Sequence, residues 1–207
     1  MRPLKTVILK NDHDLFVYQQ KVKNILGIEF PVSYLKQGKV RAFLDADGEI
    51  VAGYALITEG PFRTLSSIPG EVTNLPCDVE SLSEVTALFI DRKVKSGVAR
   101  CQFWLTFSRE LSNLSGKTHY MYAYDLEKTK LKKLYRLANP TVLFEGRTLL
   151  LEGMAEESDE SVEVAKCSTI MYLPFYAMPG FVNRLFFRKP LNEIRYFLEQ
   201  IDLRNSA

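Results

Sequence analysis

The sequence predicts an α/β fold, a mixed and mostly antiparallel central sheet flanked by helices. Three observations carry that expectation. Short β-prone runs and amphipathic helical patterns alternate along the 207 residues in the order β-α-β-β-β-α-β-α-β-β. Asp47-Gly48 sits between two apolar runs, and Asp-Gly in that setting marks an antiparallel hairpin because the turn needs positive φ. Finally, an apolar run at 84–90 passes through a short basic turn into a helical pattern opening on Gly97.

The elements follow in order. Residues 6–10 form a β-prone run. Asp12 or Asp14 is expected to cap a helix whose Leu15, Tyr18, Val22, Ile25 and Leu26 share one face, with Gly27 as its stop. The hairpin strands span 40–44 and 50–58. Residues 60–81 carry Pro61, Pro69, Gly70 and Pro76 and read as a long irregular segment, either a candidate binding loop or a stretch holding structure the pattern does not show. After the strand at 84–90, a helix is expected from Gly97 to Leu114, lined by Val98, Cys101, Trp104, Leu105, Leu111 and Leu114 and widened by Phe103 and Phe107. Residues 118–124 alternate as a strand and 128–138 as a basic helix that Asn139-Pro140 ends. A hairpin turning at Glu145-Gly146-Arg147 is expected within 141–154, an acidic solvated loop at 155–163, and a last strand at 164–171. Pro190 fits the first turn of a final helix.

Composition narrows the function. The length suits one domain, 1–207, with 155–207 completing it. Apolar content of 46% and charged content of 25% are those of a globular chain. A net charge of +2 argues against nucleic acid as a partner. Cys77, Cys101 and Cys167 are odd in number and scattered, which favours reduced thiols, a cytoplasmic setting and no zinc site. No stretch reaches the roughly 18 apolar residues of a membrane span.

The turn before Gly97 is the most informative feature. A strand ending at a glycine-containing turn and a helix start leaves backbone N–H groups without partners, and the helix dipole adds to them. Lys93, Lys95 and Arg100 flank this turn with Ser96, so an anion such as phosphate is the natural ligand; a solvated charged turn is the plain alternative.

Here the chain resembles the GCN5-related N-acetyltransferase superfamily over about residues 4–150. Gly97-Val98-Ala99 matches the Gly-x-Gly/Ala half of that family's pyrophosphate motif, although Val94 stands where Arg or Gln is usual and the turn is one residue shorter. Leu134-Tyr135 matches a Leu-Tyr-x-x-x-Gly-Phe segment, with Asn139-Pro140 in place of Gly-Phe. The resemblance implies acetyl-CoA or another acyl-CoA as donor, a small-molecule amine as acceptor, and no metal. It implies a strand at 84–90 that splays from its neighbour, with Phe89 and Ile90 offering backbone N–H groups to the reacting oxygen. It places Glu84 as the base for the amine and Tyr135 as the acid for the departing sulfur, and Lys93, Lys95, Ser96, Gly97, Val98, Ala99 and Arg100 around the diphosphate.

Duller roles stand beside these: Glu84 as a solvated residue at a strand start, Tyr135 as an amphipathic core residue. Two other functions stay open, an acyl-carrier-protein-dependent N-acyl synthase and a catalytically inactive binding or assembly module. The aromatic segment at 171–181, with Phe186 and Phe187 beyond, reads as closing the sheet, or as an acyl-chain wall or homodimer contact.

Overall fold

The computed structural model of the chain describes residues 3–128, 132 and 135–170. The aromatic segment, the final helix and residues 129–131 and 133–134 of the basic helix expected at 128–138 lie outside the described residues. Seven strands form one sheet in the order β1-β2-β3-β4-β5-β7-β6. They are β1 (Lys5–Leu9), β2 (Gly38–Leu44), β3 (Ile50–Ile57), β4 (Leu82–Ile90), β5 (His119–Asp125), β6 (Thr141–Arg147) and β7 (Asp159–Lys166). Every neighbouring pair is antiparallel except β4 and β5. The helices are α1 (Asp12–Leu26), α2 (Val32–Leu35), α3 (Arg63–Ser66) and α4 (Gly97–Ser112).

Strand alternation sends side chains to two cores. On one face, Val40, Ala42, Ala55, Ile57, Leu82 and Phe89 pack with Leu15, Tyr18 and Val22 of α1. On the other, Phe43, Tyr54, Leu56, Val85, Tyr120 and Tyr122 pack with Phe103, Phe107 and Leu111 of α4. Full burial of each large side chain contributes about 1.5–3 kcal/mol relative to exposure. Gly53 lets α1 approach: a Cβ there would meet the Tyr18 ring at 2.5 Å. The hairpin between β2 and β3 turns as expected, with Gly48 at φ +82.

Several local expectations are corrected. Asn11 caps α1, its side chain accepting from the Asp14 amide at 2.8 Å, ahead of either aspartate. Of the two readings of residues 60–81, the structure shows the one with hidden elements, since they hold α3 and a 3-10 turn at Val79–Ser81. Gly146 does not turn a hairpin: β6 runs through it, and its partner β7 begins at Asp159, inside the stretch expected to be an acidic loop. On α4 the core stripe is Ala99, Phe103, Phe107 and Leu111, while Val98 and Leu105 are exposed. Among the described residues, no helix is long and apolar enough to cross a membrane.

Candidate active site

β4 and β5 start as a parallel pair and then part. Their paired positions are Leu82 with His119, Ser83 with Tyr120 and Glu84 with Met121. Beyond these, β4 continues to Ile90 along β3, and β5 continues to Asp125 along β7. The facing backbone edges of Val85–Ile90 and of Tyr122–Asp125 are therefore left without each other. Between them lies a cavity of about 500 Å³ that passes from one face of the sheet to the other. Its wall takes Trp104 and Phe107 from α4, Thr86 and Leu88 from β4, and Tyr122 and Tyr124 from β5. On the α1 face it is walled by Phe30, Arg63, Thr64 and Glu84.

A bulge shapes the β4 edge. Phe89 opposes Gly53 and Thr86 opposes Ala55, so Ala87 and Leu88 together face Tyr54. Ala87 sits at φ +49, a left-handed conformation that costs a non-glycine residue about 1–2 kcal/mol. The Tyr18 hydroxyl holds the bulge by donating to the Ala87 carbonyl at 2.7 Å. A trans peptide points its C=O and N–H in opposite directions. With that carbonyl turned to α1, the Leu88 N–H is turned away from α1, toward the face carrying α4.

Glu84 stands at the fork, in the last paired position before the strands part. It is fully buried, not solvated at a strand start. Its Oε2 accepts from the Thr64 amide at 3.0 Å, and among the described residues its Oε1 has no partner. Burial pushes its carboxyl above the ordinary range, opposed by the Thr64 amide, the Tyr34 hydroxyl and the Arg63 charge. A lone buried oxygen of this kind is an acceptor waiting for a donor.

Across the gap is a cluster of phenols. The Tyr122 and Tyr124 hydroxyls donate to opposite oxygens of the buried Glu163 carboxylate, each at 2.7 Å. The Tyr135 ring packs on both, its centroid 4.5 Å from that of Tyr122 and 5.3 Å from that of Tyr124. Tyr135 also lines the cavity. Burial, with Glu163 and Tyr124 adding to it, pushes its hydroxyl up to about 12 and keeps it protonated at neutral pH.

The turn before α4 is at the surface. Ser96 caps the helix by accepting from the Ala99 amide, and the Ser96 carbonyl takes the Arg100 amide. Among the described residues, the Gly97 and Val98 amides meet no acceptor. Val98 is exposed and Ala99 buried against Val51 and Val94. The basic residues divide: Lys93 lies 3.3 Å from Glu49, the Arg100 Nε donates to the Val94 carbonyl, and Lys95 projects into solvent. The wall of the cavity reaches α4 at Cys101 and includes none of residues 93–100.

The structure therefore brings Glu84 and Tyr135 to one cavity and leaves the turn at residues 93–100 outside its wall. Phe89 and Ile90 lie beyond the wall; Phe89 packs against Tyr18 at 5.8 Å in the core. The Asp91 amide donates to the Val51 carbonyl of the β3 side, and the period of two turns the Phe89 amide the same way and the Ile90 amide toward the gap. Sequence reasoning missed Arg63, Thr64, Leu88 and Glu163. Only Glu163 had a local signal, as a charge flanked by valines at 162 and 164.

This architecture is the GCN5-related N-acetyltransferase fold. No protein-family model and no curated sequence matches the chain. Solved structures do. FeeM, an N-acyl amino acid synthase from uncultured soil microbes, matches with a TM-score of 0.54 at 12% identity, over 84% of this chain and 97% of that one. NAA60 of Arabidopsis thaliana in complex with acetyl-CoA matches at 0.53 and 14%, over 79% and 98%. A GCN5-related N-acetyltransferase from Brucella melitensis matches at 0.51 and 12%, over 87% and 83%.

Proposed function

We propose that the chain is an N-acyltransferase that moves an acyl group from acyl-CoA to an amine by direct attack. The observation that carries this reading is the parting of β4 and β5 immediately after Glu84, with a cavity running through the gap. The free β4 edge suits the extended pantetheine arm, and the unpaired Gly97 and Val98 amides, with Lys95 beside them, suit the diphosphate. Acyl-CoA supplies a thioester, an acyl group already activated for transfer.

The chain's own residues handle protons and charge. Glu84, held by the Thr64 amide through one oxygen, takes a proton from the amine through the other. Its raised affinity for protons matches that task better than an ordinary carboxylate would. The Leu88 N–H, aimed by the Tyr18 bond at the bulge, is the donor for the carbonyl oxygen, in place of Phe89. Tyr135 gives a proton to the sulfur and is replenished from solvent. In balance, a C–N bond forms and a C–S bond breaks. The ammonium loses two protons, one ending on the thiol and one in water.

The test is release of free thiol with a panel of acyl-CoAs and amines, with the product identified by mass. Acylated amine formed in step with thiol supports the reading. Transfer from an acyl-carrier protein with none from any acyl-CoA assigns the donor to the carrier protein. No binding of any acyl-CoA overturns it.

A further inference from the structure

The cavity wall on the α1 face is apolar apart from a few groups, and two of them stand together. Arg63 and Thr64 are consecutive on α3, and the Thr64 amide is the one bonded to Glu84. The Arg63 cation of α3 is thereby tethered next to the amide that holds the Glu84 carboxylate of β4. Arg63 is itself placed by three residues, Phe30, Tyr34 and Glu152. Its backbone amide donates to the Tyr34 hydroxyl at 3.1 Å, its guanidinium lies over the Phe30 and Tyr34 rings at 5.5 and 5.8 Å, and one Nη donates to the Glu152 carbonyl at 2.6 Å. Among the described residues no carboxylate lies within ion-pair distance of it. Among the described residues the other cation of the wall, Lys128, already sits 3.6 Å from Asp125.

A half-buried guanidinium held rigidly, with donors to spare and no counter-ion, is a site for a planar anion such as carboxylate. Glu84, with one unpartnered oxygen, is a site for an amine. We propose that the acceptor is an amino acid with an apolar side chain. Its carboxylate is held by Arg63, its amino group meets Glu84, and its side chain lies against Ile28, Phe30 and Met154. The inference rests on the acyltransferase reading and names its substrate. The bonds made and broken are those already given, with the amino-acid nitrogen as the attacking atom.

The experiment measures kcat/KM on the full-length protein for matched pairs that differ only in the carboxylate. The pairs are L-phenylalanine and phenethylamine, L-leucine and isoamylamine, and L-methionine and 3-(methylthio)propylamine. The amino acid of at least one pair should be preferred by about 10- to 100-fold, the range of a lost charge-assisted hydrogen bond. In Arg63→Met that preference should collapse through KM, and Arg63→Lys should restore part of it. Equal use of both members of every pair by the wild type, or preference for the amine, overturns the inference and leaves the acyltransferase reading standing. No acylation of any acceptor, with no binding of any acyl-CoA, overturns both. Should Arg63→Met fail to fold, the wild-type pairs decide the matter alone.

Discussion

Replacing Glu84 by Gln keeps the size of the side chain and an oxygen to accept from the Thr64 amide, and exchanges the unpartnered Oε1, with its charge and proton site, for a neutral NH2. Two consequences follow from one fact, the burial of a carboxylate. General-base catalysis contributes about 10²- to 10⁴-fold, so turnover should fall by that factor, or about 2.7–5.5 kcal/mol of barrier. Stability should move the other way. An exposed glutamate ionises near pH 4.3, as it would in the unfolded chain, and burial raises the folded value above this. A carboxyl raised in the folded state contributes stability that is whole below the unfolded value and lost as pH rises through the folded one. Each unit of elevation costs the wild type about 1.4 kcal/mol at pH values above both. Gln escapes that loss. Its stability advantage should be smallest at acid pH, grow through the window between the two values, and level off above it. Urea unfolding across pH reads the stability, and thiol release reads turnover, whose rising limb with pH should vanish in the variant. Unchanged turnover would remove Glu84 as the base. A variant less stable than wild type at neutral pH would remove the claim that burial of its charge costs folding energy.

Three further outcomes are expected. Tyr135→Phe should lower kcat about 100-fold, the low end of the range for a general acid, with little change in acyl-CoA affinity by calorimetry; a fall in affinity with kcat intact would make the residue structural. Gly97→Glu brings a carboxylate against the amides that would meet a diphosphate and should abolish CoA binding, so an unchanged Kd would remove that site. Tyr18→Phe leaves the Ala87 carbonyl without its partner and should cost about 1–3 kcal/mol of stability by urea unfolding. It should also lower kcat at constant KM for acyl-CoA, because the Leu88 amide loses its aim; a wild-type kcat would take the bulge out of the chemistry.

The sequence revealed what local chemistry specifies. Asp-Gly gave the β2–β3 hairpin, Gly27 the end of α1, and Gly97 after a basic turn the start of α4. Glu84 was reached through the family resemblance, which places a carboxylate near the start of the splayed strand, yet its burial depends on Thr64, twenty residues away. Where contacts are distant, the pattern misled. Val98 and Leu105 look like core residues on a helical wheel, but α4 presents the stripe of Ala99 and Phe103 to the sheet. Gly146 looks like a turn, but β7 pairs along it and keeps the strand extended. Ala87 carries no mark of a bulge, since the left-handed backbone there is imposed by β3 and Tyr18, not by alanine's own preference. Arg63 was hidden in a proline-rich stretch whose short helix is held by Tyr34 and Glu84.

Amide hydrogen exchange on the protein with and without CoA addresses the gap between β4 and β5 itself. An occupied slot should slow exchange in two places, along Val85–Ile90 of β4 and at residues 97–100 at the start of α4, while β1 and β6 at the far edges stay as they were. Saturating CoA that leaves both of those segments unprotected would mean the parted strands do not hold the donor, and the acyltransferase reading would lose its foundation.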